Sequence, residues 1–189
     1  MTITFKNFTK INEAEKRQVL QWCNADRVRL CMVNQHVISL ENHLEWIDNL
    51  SKRDDCLYAL VYDEFEPIGV TDLTDIDRTT RQATWGFYLA PGNRPGFGVV
   101  GFLWMENFFE VMDFDVLLGQ SLADNHKSYH FHKNKFYFEE CEAVVTTSGH
   151  NGQESFFFFM TQARWLSLKE ELRPVLFKSF EPSQVKWDL

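Results

Sequence analysis

The passage Tyr88-Leu89-Ala90-Pro91-Gly92-Asn93-Arg94-Pro95-Gly96-Phe97-Gly98-Val99 constrains this chain more than any other. A strand (RQATWGFYLAP) ends at Pro91, a loop carrying Gly92, Gly96 and Gly98 turns the chain, and a helix begins at once. Val99, Leu103, Phe108, Val111 and Met112 follow at helical spacing. Free backbone N–H groups at a helix start, aided by the helix dipole, form an anion site. Glycines let a phosphate approach the backbone without meeting a β-carbon. No Gly-Lys-Ser/Thr follows, so this is not a P-loop, and the glycines do not space as a dinucleotide fingerprint. Taken alone, the passage is equally well read as a plain glycine-rich connection.

A second passage changes that balance. Asp124-Asn125-His126-Lys127-Ser128-Tyr129-His130-Phe131-His132 opens another helix, one short strand (DVLLGQSL) after the first. Asp124 can cap it, and Ser128 and His132 lie one turn apart on a common face. Before these units, TITFKNFT reads as a first strand and EAEKRQVLQWCNAD as a helix. A second helix starts at Ser39, with Leu40, Leu44, Ile47 and Leu50 at helical spacing. CLYALVYD and IGVTDLTDID then form a hairpin across EFEP. FEECEAVVTT and ESFFFFMTQARW read as a closing hairpin around SGHNGQ, and Leu166 to Leu189 as a weak helix followed by a Pro-containing strap. The pattern predicts one α/β domain over 1–189.

Composition removes several classes. With 19 Lys+Arg against 27 Asp+Glu the net charge is −8, which opposes a broad basic face for nucleic acid. No apolar run has the length of a membrane helix. The N-terminus lacks a signal-peptide segment, and Cys23, Cys31, Cys56 and Cys141 show no paired spacing. The expectation is a cytoplasmic protein with reduced thiols.

The order of strand, glycine loop, helix, strand and Asn-led helix resembles the GNAT acyltransferase superfamily. Asn93-Arg94-Pro95-Gly96-Phe97-Gly98 matches its pyrophosphate loop, with Asn93 where Gln or Arg is usual. Asn125, Ser128 and Phe131 fall in register with the pattern Asn-x-x-Ala-x-x-Phe-Tyr, with His132 in place of the tyrosine. The likeness covers residues 3–164 and leaves 165–189 as a tail. It implies a mixed central sheet of about seven strands flanked by helices, with a splayed strand pair at an acyl-CoA cleft. Gln21-Trp22-Cys23-Asn24, Met32, Ile38-Ser39-x-x-x-His43-x-x-Trp46-Ile47, Ile68-Gly69-Val70 and Asp124-Asn125-His126-Lys127 are similar to the nucleotide-sugar N-acetyltransferases of pseudaminic acid synthesis.

That resemblance implies an acyl-CoA-dependent N-acyltransferase, acting without a metal on a nucleotide-linked amino-deoxy-sugar in bacterial surface glycan synthesis. The acyl group is acetyl or a larger one such as hydroxybutyryl. Attack is direct, in a ternary complex, so no cysteine nucleophile is needed. Relatives are often homodimers. Leu89, Ala90, Arg94, Pro95, Gly96, Phe97, Gly98, Val99, Asn125 and Ser128 would hold the donor. The backbone N–H groups of Tyr88 to Ala90 would face the thioester oxygen. His132 stands as the candidate general acid. The base position of relatives reads Thr84, which leaves Asp72 and His43, or a water relay ending on one of them. Trp22, Met32, Trp46, Trp85 and Tyr88 are the candidates for the acceptor cleft. Two alternatives stay open: a protein N-terminal or small-amine acetyltransferase, and a CoA-binding relative without turnover.

His126, His130 and His132 invite a zinc reading, but no glutamate stands between the first two and His132 leaves their face. Phe is abundant, at 18 residues. Phe156–Phe159 reads as a strand buried on both faces, and Trp104, Phe108 and Phe109 as the helix packed behind it.

Overall fold

The computed structural model describes residues 2–92, 97–141, 154–178 and 180–189. Strand β1 (Thr2–Asn7) alternates as expected and turns Ile3 and Phe5 into the core. Helix α1 (Glu13–Asn24) begins in a complete capping box, in which Asn12 accepts from the Glu15 N–H and the Glu15 carboxylate accepts from the Asn12 N–H. A four-residue helix, α2 (Asp26–Arg29), follows. Ser39 Oγ caps α3 (Leu40–Leu50) by accepting from the Asn42 N–H at 3.2 Å.

The hairpin of β2 (Leu57–Asp63) and β3 (Glu66–Asp77) continues into β4 (Gln82–Leu89). Gly92, at φ 101°, turns the chain in the left-handed region that favours glycine. Helix α4 (Phe97–Glu106) follows and widens into a π-turn over Asn107–Val111. The remaining elements are β5 (Val116–Leu122), α5 (His126–His130) with a π-turn over Phe131–Lys135, β6 (Glu139–Glu140), β7 (Ser155–Thr161), α6 (Gln162–Leu176) and β8 (Gln184–Asp188).

These strands form one eight-stranded sheet in the order β6-β7-β5-β4-β3-β2-β1-β8. Neighbours are antiparallel except β4–β5 and β1–β8, which are parallel. Helices α1 and α3 cover one face, where Val19, Trp22, Ile47 and Leu50 pack on Leu60 and Val70. Helices α4 and α6 cover the other, where Phe102, Met105, Trp165 and Leu172 meet Phe5, Leu73, Trp85 and Met160. Burying such large aromatic side chains stabilises by about 1.5–3 kcal/mol each. Phe therefore serves the core, as expected. No helix among the described residues is long and apolar enough to cross a membrane.

Four expectations are corrected. The sheet has eight strands rather than seven, because Gln184–Asp188 lies parallel to β1, with Val185 opposite Ile3 and Trp187 opposite Phe5. The end of the chain is thus no strap: Trp165, Leu172 and Phe177 are buried in the main core. Gln162 does not continue β7, because Thr161 caps α6 there through the Arg164 N–H. In β7 Phe158 alone of the four phenylalanines is fully buried, and Phe156, Phe157 and Phe159 are half-buried.

Candidate active site

The parallel pair β4–β5 is bonded from Gln82–Val116 to Trp85–Gly119 and no further. Beyond that rung β4 stays on β3 as far as Leu89, and β5 stays on β7 as far as Leu122. The strands therefore diverge and leave a wedge with its vertex at Trp85 and Gly119. The Ala90 N–H donates to the Ile68 carbonyl on the β3 side. Period-two alternation then turns the N–H groups of Phe87 and Leu89 to the wedge, where no rung of the β4–β5 ladder takes them. At the wedge mouth the Arg27 guanidinium donates to the Leu89 carbonyl at 2.9 Å. Arg27 belongs to α2, so the connection between α1 and α3 is tied to the splayed strand. Asn24 holds the far end of that connection by donating to the Ile38 carbonyl and accepting from the Ile38 N–H.

Asp72 lies on the α1–α3 face, on the rung next to the vertex, directly opposite Gly86. Its carboxylate leans across that glycine, with Oδ1 only 2.6 Å from the position a β-carbon would take. Burial drives the Asp72 carboxyl up to about 7, against a small lowering by the Gly86 backbone. Tyr58 is its cross-strand neighbour, and Tyr88 shares the face. Burial holds both phenols above their ordinary range, with Asp72 adding to the shift, so both remain protonated.

His132 lies on the opposite face of the sheet, under the vertex. It is 2% exposed, stacked flat on Phe158 and edge-on to Trp85 and Phe138. The Ser128 carbonyl accepts from its Nδ1–H at 2.9 Å. That leaves Nε2 a bare lone pair against Gly119, and no described residue hydrogen-bonds it. Burial pushes the imidazole down to about 4 despite the Ser128 bond, so it is neutral at pH 7. Donating a proton from Nε2 needs the imidazolium, the form that burial disfavours.

His43 is not beside the wedge. It is buried between α3 and α1, where its Nε2–H donates to the Lys16 carbonyl at 3.0 Å and its ring packs on Trp46. Burial lowers its imidazole too, and a committed Nε2 makes it a tie between helices. Two acceptor-cleft candidates are buried in the structure. Trp22 is core under α1, and Trp85 is 3% exposed with its indole N–H donating to Thr71 Oγ1 at 2.9 Å. Strand alternation carries Trp85 to the α4 side, away from α1–α3. Met32, Trp46 and Tyr88 remain half-buried on the α1–α3 side, with Met32 against Cys23 Sγ at 3.8 Å. The four cysteines are free thiols, and burial raises those of Cys23 and Cys56, which opposes a thiolate nucleophile.

Of the expected donor-binding residues, Arg94, Pro95 and Gly96 lie outside the described residues. Phe97, Gly98 and Val99 form the first turn of α4, which carries no acidic side chain. The Lys135 ammonium lies against Gly98, with Nζ 2.7 Å from a β-carbon placed there. A cation at a helix start opposes the dipole unless an anion joins it, so this corner suits an anionic group. Leu89 edges the wedge, whereas the Ala90 N–H is committed to Ile68. Asn125 caps α5 by accepting from the Ser128 N–H at 3.2 Å. His126 and His130 are exposed while His132 is buried, so the three do not converge. Among the described residues no group of His, Cys, Asp and Glu could hold a metal.

Gly86, Arg27 and Lys135 were not legible as site residues. A glycine inside a strand pattern signals a close approach and could have drawn attention to Gly86. Nothing in the sequence singles out Arg27 or Lys135.

The fold can be placed by comparison. Campylobacter jejuni N-acetyltransferase PseH, solved in complex with acetyl coenzyme A, superposes with a TM-score of 0.66 and 20% identity, over 85% of this chain and 99% of that one. The spermidine N-acetyltransferase of Vibrio cholerae, in complex with CoA and spermine, does so with 0.77 and 15%, over 87% and 98%. A mixed sheet whose parallel pair opens halfway is the GNAT acetyltransferase fold, shared by both. In sequence the chain is 32% identical over 127 residues to acetyltransferase PseH of Campylobacter jejuni subsp. jejuni serotype O:2, covering 67% of this chain and 78% of that protein. No family model matches. The chain belongs to the GNAT N-acyltransferases of the PseH type.

Proposed function

We propose that this enzyme transfers an acyl group, acetyl or a larger one, from acyl-CoA to the amine of a nucleoside-diphosphate-linked amino-deoxy-sugar. The observation that carries acyl transfer is the wedge: N–H groups of Phe87 and Leu89 beyond the last β4–β5 rung on one edge, with the Asp72 carboxylate across Gly86 beside the vertex. Acyl-CoA would supply an activated thioester. The first turn of α4 with Lys135 suits its phosphates, and the Phe87 and Leu89 N–H groups suit the oxygen on which charge develops. Such donors contribute about 3 kcal/mol.

Asp72 takes the proton of the acceptor ammonium, because a carboxylate near pH 7 can both accept and release one at working pH. His132 holds the vertex as a neutral ring, while the departing thiolate, with a thiol pKa of about 8.5, is stable enough to leave without a dedicated acid and takes up the proton that the acylated nitrogen sheds. Arg27 supports the anionic acceptor: its guanidinium stands exposed at the wedge mouth with a backbone carbonyl as its bonded partner. The likeness to PseH, at 32% identity, supports the sugar reading as well.

The small-amine reading has one observation behind it, a net charge of −8 that attracts polycations. A panel separates the two. Free-thiol release with acetyl-CoA should be fastest with amino-sugar nucleotides and fall at least tenfold with spermidine; the reverse order would replace the proposed acceptor.

A further inference from the structure

A cavity of about 480 Å³ opens at the end of the sheet remote from the wedge mouth, between the end of α3, the start of β2 and the Met112–Phe114 turn. That volume lies within the range of small-molecule sites. Its floor is apolar, built from Leu57, Leu73, Ile76 and Phe114. Two guanidiniums stand at its rim, and they are not equivalent. Arg53 is engaged by Asp55 through two bonds, at 2.7 and 2.8 Å. Arg78 lies over the Phe114 ring, 5.7 Å from its centre, and lines the cavity with that ring. Asp54 also lines the wall and repels ligands carrying several negative charges.

We propose that this cavity is a second ligand site, for a small amphipathic monoanion whose carboxylate pairs with Arg78 and whose hydrocarbon body covers the apolar floor. A planar guanidinium fork matches one carboxylate. The site is separate from the wedge, yet Tyr58 lines its wall and faces Asp72 across the β2–β3 ladder, so an occupant lies one side chain from the proposed base.

Isothermal titration of the whole chain with hexanoate tests this, in buffer and with saturating coenzyme A. Saturable binding with a dissociation constant of order 1 mM or tighter is expected in both. Hexanol and inorganic phosphate should bind at least tenfold more weakly, since each lacks one half of the match. Arg78→Gln, an exposed change that leaves the core intact, should weaken hexanoate at least tenfold and preserve acetyl transfer. Absence of saturable binding, indifference to Arg78→Gln, or displacement by coenzyme A would each overturn the proposal.

Discussion

Asp72 and Gly86 face each other across the β3–β4 ladder, and the carboxylate of one occupies the space where the other lacks a side chain. Gly86→Ala would set a β-carbon 2.6 Å from Oδ1, and the carboxylate must turn away from the wedge. A misplaced base costs kcat while the donor corner at α4 is untouched. The expected outcome is a fall in kcat of about 10- to 100-fold with KM for acyl-CoA within about twofold, read from steady-state thiol release.

His132 makes the fold acid-sensitive. Its folded value of about 4 lies below the unfolded value of 6.5, so between those limits the unfolded chain binds more protons. Stability contributed by the neutral ring is complete above pH 6.5 and is lost as pH falls towards 4, by about 3 kcal/mol. Asp72 opposes it: its raised carboxyl stabilises the protein at low pH and loses that contribution as pH rises from about 4 to 7. Denaturant melts at pH 7 and pH 4.5 should show His132→Phe losing less stability on acidification than the parent chain. An equal loss would mean that His132 is not the group responsible.

His43 separates a structural histidine from a catalytic one. His43→Phe removes the bond to the Lys16 carbonyl and should lower stability by about 1–2 kcal/mol in chemical denaturation. The activity–pH profile of the folded variant should match that of the parent. A displaced profile would return His43 to the list of bases.

Local signals were the readable ones. Ser39 caps α3 from three residues away, as its spacing suggested, whereas the cap of α5 is Asn125 and not Asp124, one residue from where it was read. Relations across the sheet were not readable. That Asp72 meets Gly86 depends on register between strands, and that Trp85 points to α4 while Tyr88 points to α1 depends on which face each helix covers. The strand at Val185–Trp187 escaped notice because it is short, alternates with Lys186 and Asp188, and finds its partner at the opposite end of the chain. Phe156–Phe159 was read as doubly buried from hydrophobicity, whereas Phe158 alone of the four is fully buried and the others are half-buried.

The most direct test of the account is the pH dependence of kcat/KM for acetyl transfer in the parent chain and in Asp72→Asn. A base must be deprotonated to act, so the parent rate should rise with pH through about 7 and then level off. Asp72→Asn should be at least about 100-fold slower and should lack that rise. An Asp72→Asn enzyme with near-parental rate and the same ascending limb would contradict the assignment of Asp72 as the base.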